Sequence, residues 1–208
     1  LPYSYNTRCY WSSLMGKCRE DIRTDFFIMN IFYLHKKPEV SARLHCDKHV
    51  VKMIIEYAQM LSTAHRVLDG EPYVQQNLGL GGRRIQRWKH PNPNMEKTLY
   101  KASHVNHPSA VWVRESAVQY QYMYDMFVAL CDEYTYRYGK VHMTDTKLRV
   151  MLDEIPRNLQ LGDWREPPQA MPDDVKSESS IDAYHKYYKQ YKRDFAVWTN
   201  RDVPHFML

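Results

Sequence analysis

A chain of 208 residues with 44% hydrophobic content can bury one sizeable core and does not demand a second domain. Its formal charge of +5 and pI near 8.9 favour a polyanionic partner over an acidic substrate pocket. No apolar run nears the roughly 20 residues that span a bilayer, and the four cysteines (Cys9, Cys18, Cys46, Cys131) lack the spacing of a zinc ribbon or a disulfide framework. The resulting expectation is a soluble, cytoplasmic protein of a reducing compartment with no membrane contact.

Residues 1–28 mix aromatic, basic and acidic side chains without a core-facing period, and coherent patterning begins at Met29. Two units are therefore expected: an extension over 1–28 that need not belong to the domain, and a single helical domain over 29–208. Met29–Leu34 (MNIFYL) reads as a short buried strand or an extended lead-in. Pro38 suits the first turn of a helix containing Val40, Ala42 and Leu44.

Cys46–Arg66, CDKHVVKMIIEYAQMLSTAHR, is the helix around which the rest is organised. At roughly 100° per residue, His49, Lys52, Glu56, Gln59 and Thr63 share about a third of its circumference, with Lys48 and Arg66 at the margin. Apolar residues cover the rest. Val50, Ile54, Ile55, Tyr57, Ala58 and Leu61 should be buried, His49, Lys52 and Glu56 should face a common cleft, and Asp47 should cap the first turn. The plainer reading of the same stripe is a solvated seam with one helical ion pair, Lys52 to Glu56.

Asp69-Gly70 ends the helix, and Glu71–Asn94, with GLGLGGRR and HPNPN, reads as a long loop. Arg83, Arg84, Arg87, Trp88 and Lys89 make it basic around one indole, a combination that places cations on phosphates and a ring against a base. No Gly-Lys-Ser/Thr follows the glycines, which speaks against a nucleotide phosphate loop. His107-Pro108-Ser109 opens a second long helical region that Gly139 closes, with Asp132, Glu133, Arg137 and Lys140 crowding its end. Thr144 or Asp145 starts a further helix through Leu152, Leu161–Asp174 is a loop, and Ser179-Ser180 open a final helix, IDAYHKYYKQYKRDFAVW. The fold class is mostly α: one compact helical domain with a long basic loop and an irregular N-terminal extension.

A glutamate beside amines in a partly dry cleft suits proton transfer and stabilisation of a cationic intermediate. Lys52 can act as a Schiff-base nucleophile once desolvated, and His49 can orient a substrate or move a proton. His45 and His49 are spaced i, i+4, with Cys46, His65, His104 and His107 elsewhere in the chain, but no complete ligand signature results, so no metal or other cofactor is expected.

The run DKHVVKMIIEYAQ, Asp47–Gln59, resembles the catalytic-helix region of the phage pyrimidine-dimer DNA glycosylases of the endonuclease V type, in which a histidine precedes an essential glutamate by seven residues. Here these are His49 and Glu56. YTYRYGK, Tyr134–Lys140, is similar to that family's aromatic, lysine-bearing C-terminal segment. The resemblance implies a compact, metal-free helical enzyme that flips a base from double-stranded DNA and attacks the deoxyribose C1′ with an N-terminal amine, assisted by Glu56. Met29 would supply that amine in a protein started there, otherwise Lys52 or Lys48. The DNA contacts expected with it are Lys48, Arg66, Arg83, Arg84, Arg87, Trp88, Lys89, Arg137 and Lys140. A non-catalytic nucleic-acid-binding protein and a nucleotide- or base-modifying phage enzyme are the alternatives.

Overall fold

The computed structural model describes residues 29–77 and 82–208. The reading of 1–28 as an extension therefore lies outside the described residues. The first described segment, 29–34, is extended and buried, and its backbone finds partners on helices instead of in a sheet. The Phe32 N–H donates to the Tyr57 hydroxyl at 3.2 Å, and the Leu34 carbonyl accepts from His185 Nε2 at 2.9 Å. Pro38 stands in the first turn of α1 (Pro38–Leu44), where its missing N–H costs nothing.

α2 (Asp47–Asp69) lies at the centre, against α4 (Pro108–Val113), α5 (Ala117–Tyr138) and α6 (Met143–Asp153). Val50, Met53, Ile54, Tyr57, Ala58, Met60 and Leu61 are fully enclosed. Ile55 departs from expectation: it is 46% exposed, as Val51 is 40% exposed. Helical geometry puts both in line with the exposed Lys48 and Lys52, on the side of the helix left bare by the packed elements. Asp47 does not cap the helix. Cys46 holds the cap position, and the Asp47 carboxylate instead accepts from Arg137 at 2.8 Å and from the Thr199 hydroxyl at 2.7 Å.

The stretch expected to be a long loop is mostly a hairpin. β1 (Glu71–Asn77) pairs antiparallel with β2 (Arg83–Lys89) in a register running from Glu71↔Lys89 to Asn77↔Arg83. Neither strand alternates apolar with polar residues, so the period-two signal was absent, and pairing rather than burial makes the strands. Gly70 forms the junction with α2: a Cβ there would lie 2.4 Å from the Arg66 carbonyl. α3 (Pro93–Thr98) follows, capped by the Asn92 side chain.

Arg66 fastens this region to the domain. Nε donates to the Tyr100 carbonyl at 2.7 Å, one terminal nitrogen to the Trp88 carbonyl and Glu96 Oε2, and the other to the Glu96 and Leu99 carbonyls. All five guanidinium donors are thereby used.

The region opening at His107 is two helices, because the chain breaks at Arg114–Ser116 and Ser116 caps α5 anew. Gly139 ends α5 in the left-handed conformation, φ 63°, as a glycine in that place allows. Residues 154–172 run without regular structure up to a single 3-10 turn at Asp173–Val175. The expected long final helix is α only over α7 (Ser180–Tyr187), then passes into a π turn at Tyr188–Lys192 and a 3-10 turn at Arg193–Phe195.

A buried ion network joins the other end of α2 to α1, α5 and the C-terminal segment. Arg137 is fully enclosed and donates to Glu133 Oε1 at 2.7 Å, Asp47 Oδ1 at 2.8 Å and the Arg43 carbonyl at 3.0 Å, while Arg201 grips both oxygens of Glu133. Burial alone would raise the Glu133 pKa, but hydrogen bonds from Arg201 and Arg137 outweigh it and hold the carboxylate below its usual range. Removing one member strands the others in a dry place. Arg137→Met should lower unfolding stability by about 3–5 kcal/mol, seen as a lower urea midpoint at unchanged m-value. A midpoint equal to wild type would show that the network contributes nothing.

Candidate active site

Glu56 sits near the middle of α2, one turn after Lys52, whose ammonium lies 3.1 Å from Oε1. The two side chains differ in environment: Lys52 is 52% exposed and Glu56 only 19%. Glu56 Oε2 has no hydrogen-bond partner among the described residues. Burial raises the Glu56 pKa, and Lys52, the approaching Asn30 backbone N–H and the charge of His104 pull the other way without cancelling it. The result is a carboxyl group that holds its proton more tightly than an exposed glutamate does, the direction that suits general acid–base chemistry.

The Asn30 nitrogen is held in place by the Asn30 side chain. Its Oδ1 accepts from the Tyr184 hydroxyl at 2.5 Å and from the Ile31 N–H at 2.8 Å, and its Nδ2 donates to the Ala170 carbonyl at 2.9 Å. Two of these partners, Tyr184 and Ala170, lie far along the chain, so the C-terminal part of the molecule helps to set where the backbone nitrogen of residue 30 stands.

The polar stripe of α2 continues beyond Glu56 as a docking strip for 101–104. Gln59 Nε2 donates to the Lys101 carbonyl at 2.5 Å, and the Ser103 N–H donates to Thr63 Oγ1 at 3.3 Å. This places His104, exposed and left-handed at φ 48°, beside the glutamate. A histidine held at positive φ carries strain that a functional site often explains. Sequence reasoning gave His104 only a place among possible ligands and gave Asn30 no role. The signal available for Asn30 was its place after Met29; His104 offered none beyond its residue type.

His104 also lines a cavity of about 660 Å³ between β2 and residues 102–106, to which Arg84, Arg87 and Trp88 contribute the opposite wall. Arg84 and Lys89 are exposed, whereas Arg87 is half-buried and donates to the Ala102 carbonyl at 3.3 Å. Arg83 opens β2, and its side chain lies outside the described residues. The basic ridge thus borders a hollow whose far rim carries His104 and, behind it, Glu56.

Other expected site residues fall elsewhere. His49 does not share the rim with Lys52 and Glu56: it is buried, stacks on Phe32 at 4.1 Å between ring centroids, and shares a hydrogen bond of 2.5 Å with the Tyr188 hydroxyl. Burial drives its pKa well below the usual histidine range, so the ring is neutral. Arg66 and Arg137, expected to touch DNA, are corrected to structural residues, since every Arg66 donor is engaged and Arg137 is sealed within its ion network. Lys48 is exposed with its ammonium 4.6 Å from the Phe195 ring centre. Lys140 is exposed just past α5. Met29 is buried, and its carbonyl accepts from the Ser109 hydroxyl at 3.5 Å.

Fold and site together define a predominantly helical protein with a desolvated glutamate facing the nitrogen of an early residue, beside a basic hairpin. The family profile of pyrimidine dimer DNA glycosylase matches residues 29–147, and the chain belongs to that family of DNA-repair glycosylases. The matched region starts with the segment that carries Asn30 and contains Glu56, the hairpin and His104. No curated protein and no solved structure matches the chain.

The raised pKa of Glu56 has a sign that calorimetry can read. Between the ordinary carboxyl value and the raised one the folded protein binds the proton better than the unfolded chain, so Glu56 lowers stability as pH rises through that window. Glu56→Gln should therefore melt with wild type near pH ~4 and above it near pH ~7, by about 2–4 °C for each ~1 kcal/mol relieved. A variant less stable than wild type at neutral pH would contradict this.

Proposed function

We propose that the protein is a DNA glycosylase with abasic-site lyase activity, acting on a damaged or modified base in double-stranded DNA. The carrying observation is the buried carboxyl group of Glu56 with the backbone N–H of Asn30 near it, in a chain of the pyrimidine dimer DNA glycosylase family. An amine at that position attacks C1′ of the deoxyribose, the glycosidic bond breaks, and the base leaves with the electron pair and takes up a proton. The C1′–O4′ bond then breaks, O4′ taking the electron pair and a proton while the amine loses one as the C1′ imine forms, and abstraction of a C2′ proton expels the 3′ phosphate. Glu56 is the group in reach to stabilise the cationic sugar and to shuttle these protons.

The amine is proposed to be that of Asn30 in a chain processed to begin there, in preference to Met29 or Lys52. Lys52 is half exposed and pairs with Glu56, an arrangement that suits a counter-ion. Residues 1–29 are on this reading no part of the working chain, which takes residues 30–208 of the expected 29–208 domain. Binding is assigned to the hairpin: Arg84 and Lys89 on phosphates, one from each face of β2, with Arg87 and Trp88 at the cavity wall, and Arg83, Lys48 and Lys140 as further cations.

Borohydride trapping on lesion-bearing duplex DNA tests the chemistry. A chain beginning at Asn30 should form a covalent adduct mapped to that residue, and the chain with residues 1–29 attached should form none. Glu56→Gln should lose at least about a hundredfold in turnover, the low end for a general acid–base group, with DNA affinity nearly unchanged because the charge acts in the transition state. Equal turnover of wild type and variant on every lesion tried would end the glycosylase reading and leave a binding protein.

The interface has its own check. Each phosphate that a cation neutralises adds about one to the steepness of log K against log salt. Replacing Arg84 and Lys89 with alanine should reduce that steepness by about two, while an unchanged slope would move the DNA elsewhere.

A further inference from the structure

A second set of side chains around α2 takes no part in the chemistry above. His65 and Asp69 stand one turn apart near the end of the helix, His90 follows β2, and one ligand atom from each lies within 4.8 Å of the others. They line a cavity of about 390 Å³ between the end of α2, the 90–95 turn and residues 154–157. Both rings are buried, His65 at 1% and His90 at 5% exposure. Yet His65 Nδ1 and His90 Nε2 have no hydrogen-bond partner among the described residues. A buried polar atom left unpaired costs free energy, and two such nitrogens beside one carboxylate call for a common partner.

We propose that His65, Asp69 and His90 form a site for a divalent transition-metal ion of the zinc class, which fastens the exit of the hairpin to the end of α2. Two imidazoles and a carboxylate match that class, whereas calcium and magnesium take oxygen ligands. Three protein ligands leave a further position for water, which the cavity has room to admit.

The surroundings orient His65 and Asp69 as ligands, while His90 must change its tautomer. Tyr120 donates its hydroxyl proton to the Leu152 carbonyl at 2.9 Å, so its oxygen accepts from His65 Nε2 at 2.8 Å and the Nδ1 lone pair turns to the cavity. A ligating imidazole is held by its other nitrogen in this manner. The Asp69 carboxylate accepts from the backbone N–H groups of Arg157 at 2.9 Å and Asn158 at 3.0 Å and from the Asn158 side chain at 3.1 Å, which fix it while Oδ2 keeps a free lone pair. His90 Nδ1 accepts the Asn92 N–H at 3.1 Å. Coordination through Nε2 moves the ring proton to Nδ1 and releases that amide, in a half-exposed turn where water replaces the bond.

The test is direct binding. The full chain, stripped with a chelator, is titrated with Co²⁺ by visible absorption and with Zn²⁺ by calorimetry. One equivalent should bind with cobalt d–d bands, and hydrogen exchange at the Asn92 amide should quicken. His90→Gln and Asp69→Asn should each weaken binding by at least about tenfold, the low end for disturbing a metal site, with the helical circular dichroism unchanged. Equal affinity in wild type and His90→Gln would place the ion elsewhere and overturn the proposal, as would a folded wild type that binds neither ion. Should Asp69→Asn fail to fold, His90→Gln decides alone, because its ring makes a single backbone contact. The readout is independent of Glu56 and of any activity on DNA.

Discussion

A helix enclosed on most of its circumference must satisfy its polar side chains within the protein, since each one left dry and unpaired costs on the order of 1–3 kcal/mol. α2 is such a helix, and much of the structure follows from meeting this demand. His49 finds Tyr188, Gln59 and Thr63 find the backbone of 101–103, and Arg66 finds four carbonyls and a carboxylate. These partners come from segments far apart in sequence, so satisfying α2 is also what gathers the N-terminal strand-like segment, the hairpin base and the π turn around it. Three atoms on α2 are exceptions: Glu56 Oε2, Ser62 Oγ and His65 Nδ1. The first faces the proposed nucleophile and the third the proposed ion. Nothing in the structure explains Ser62.

What the sequence revealed was whatever repeats locally. The 3.6-residue period marked α2 and α5, Pro38 marked a first turn, and Gly139 marked a left-handed end. The hairpin was hidden because RRIQRWK carries no alternation; its strands exist through pairing with each other and through the anchoring of their base by Arg66. Val51 and Ile55 misled for a related reason: an apolar residue adjoining the core arc is buried only if some element covers it, and coverage is a tertiary fact. Arg66 and Arg137 show the converse. Composition places arginine on the surface and against phosphates, but a planar fork of five donors is also the group best suited to collect carbonyls at a buried junction.

The glutamate was legible because a carboxylate recurring on a polar stripe is a sequence pattern. Its proposed partner was not, because Asn30 lies 26 residues away in an extended segment with no period of its own. Two remote contacts through its side chain, to Tyr184 and Ala170, and a local one to the Ile31 N–H help to set where its nitrogen points. A backbone nitrogen has no residue type by which a sequence could advertise it. The same burial that makes Glu56 useful makes it unfavourable for folding, since a carboxylate in a dry place is held there against solvation. Lys52 offsets this only in part, being half in water where an ion pair is weak.

Glu56 and His65 are nine residues apart, which at 1.5 Å and 100° per residue separates them by about 14 Å along the axis of α2 and about half a turn around it. An ion at His65 is therefore on the far side of the helix from the glutamate and cannot polarise a group that Glu56 serves. Its reach is mechanical. His90 is the residue after β2, the Arg66–Glu96 pair lies against the His90 backbone N–H, and Trp88 is bound by the same arginine. Fixing His90 thus fixes the strand that carries Arg84, Arg87 and Trp88, and with it the wall opposite His104. One helix in this way governs both sides of the cavity: through Glu56 and the 101–104 strip on one face, and through the anchor of the hairpin at its end.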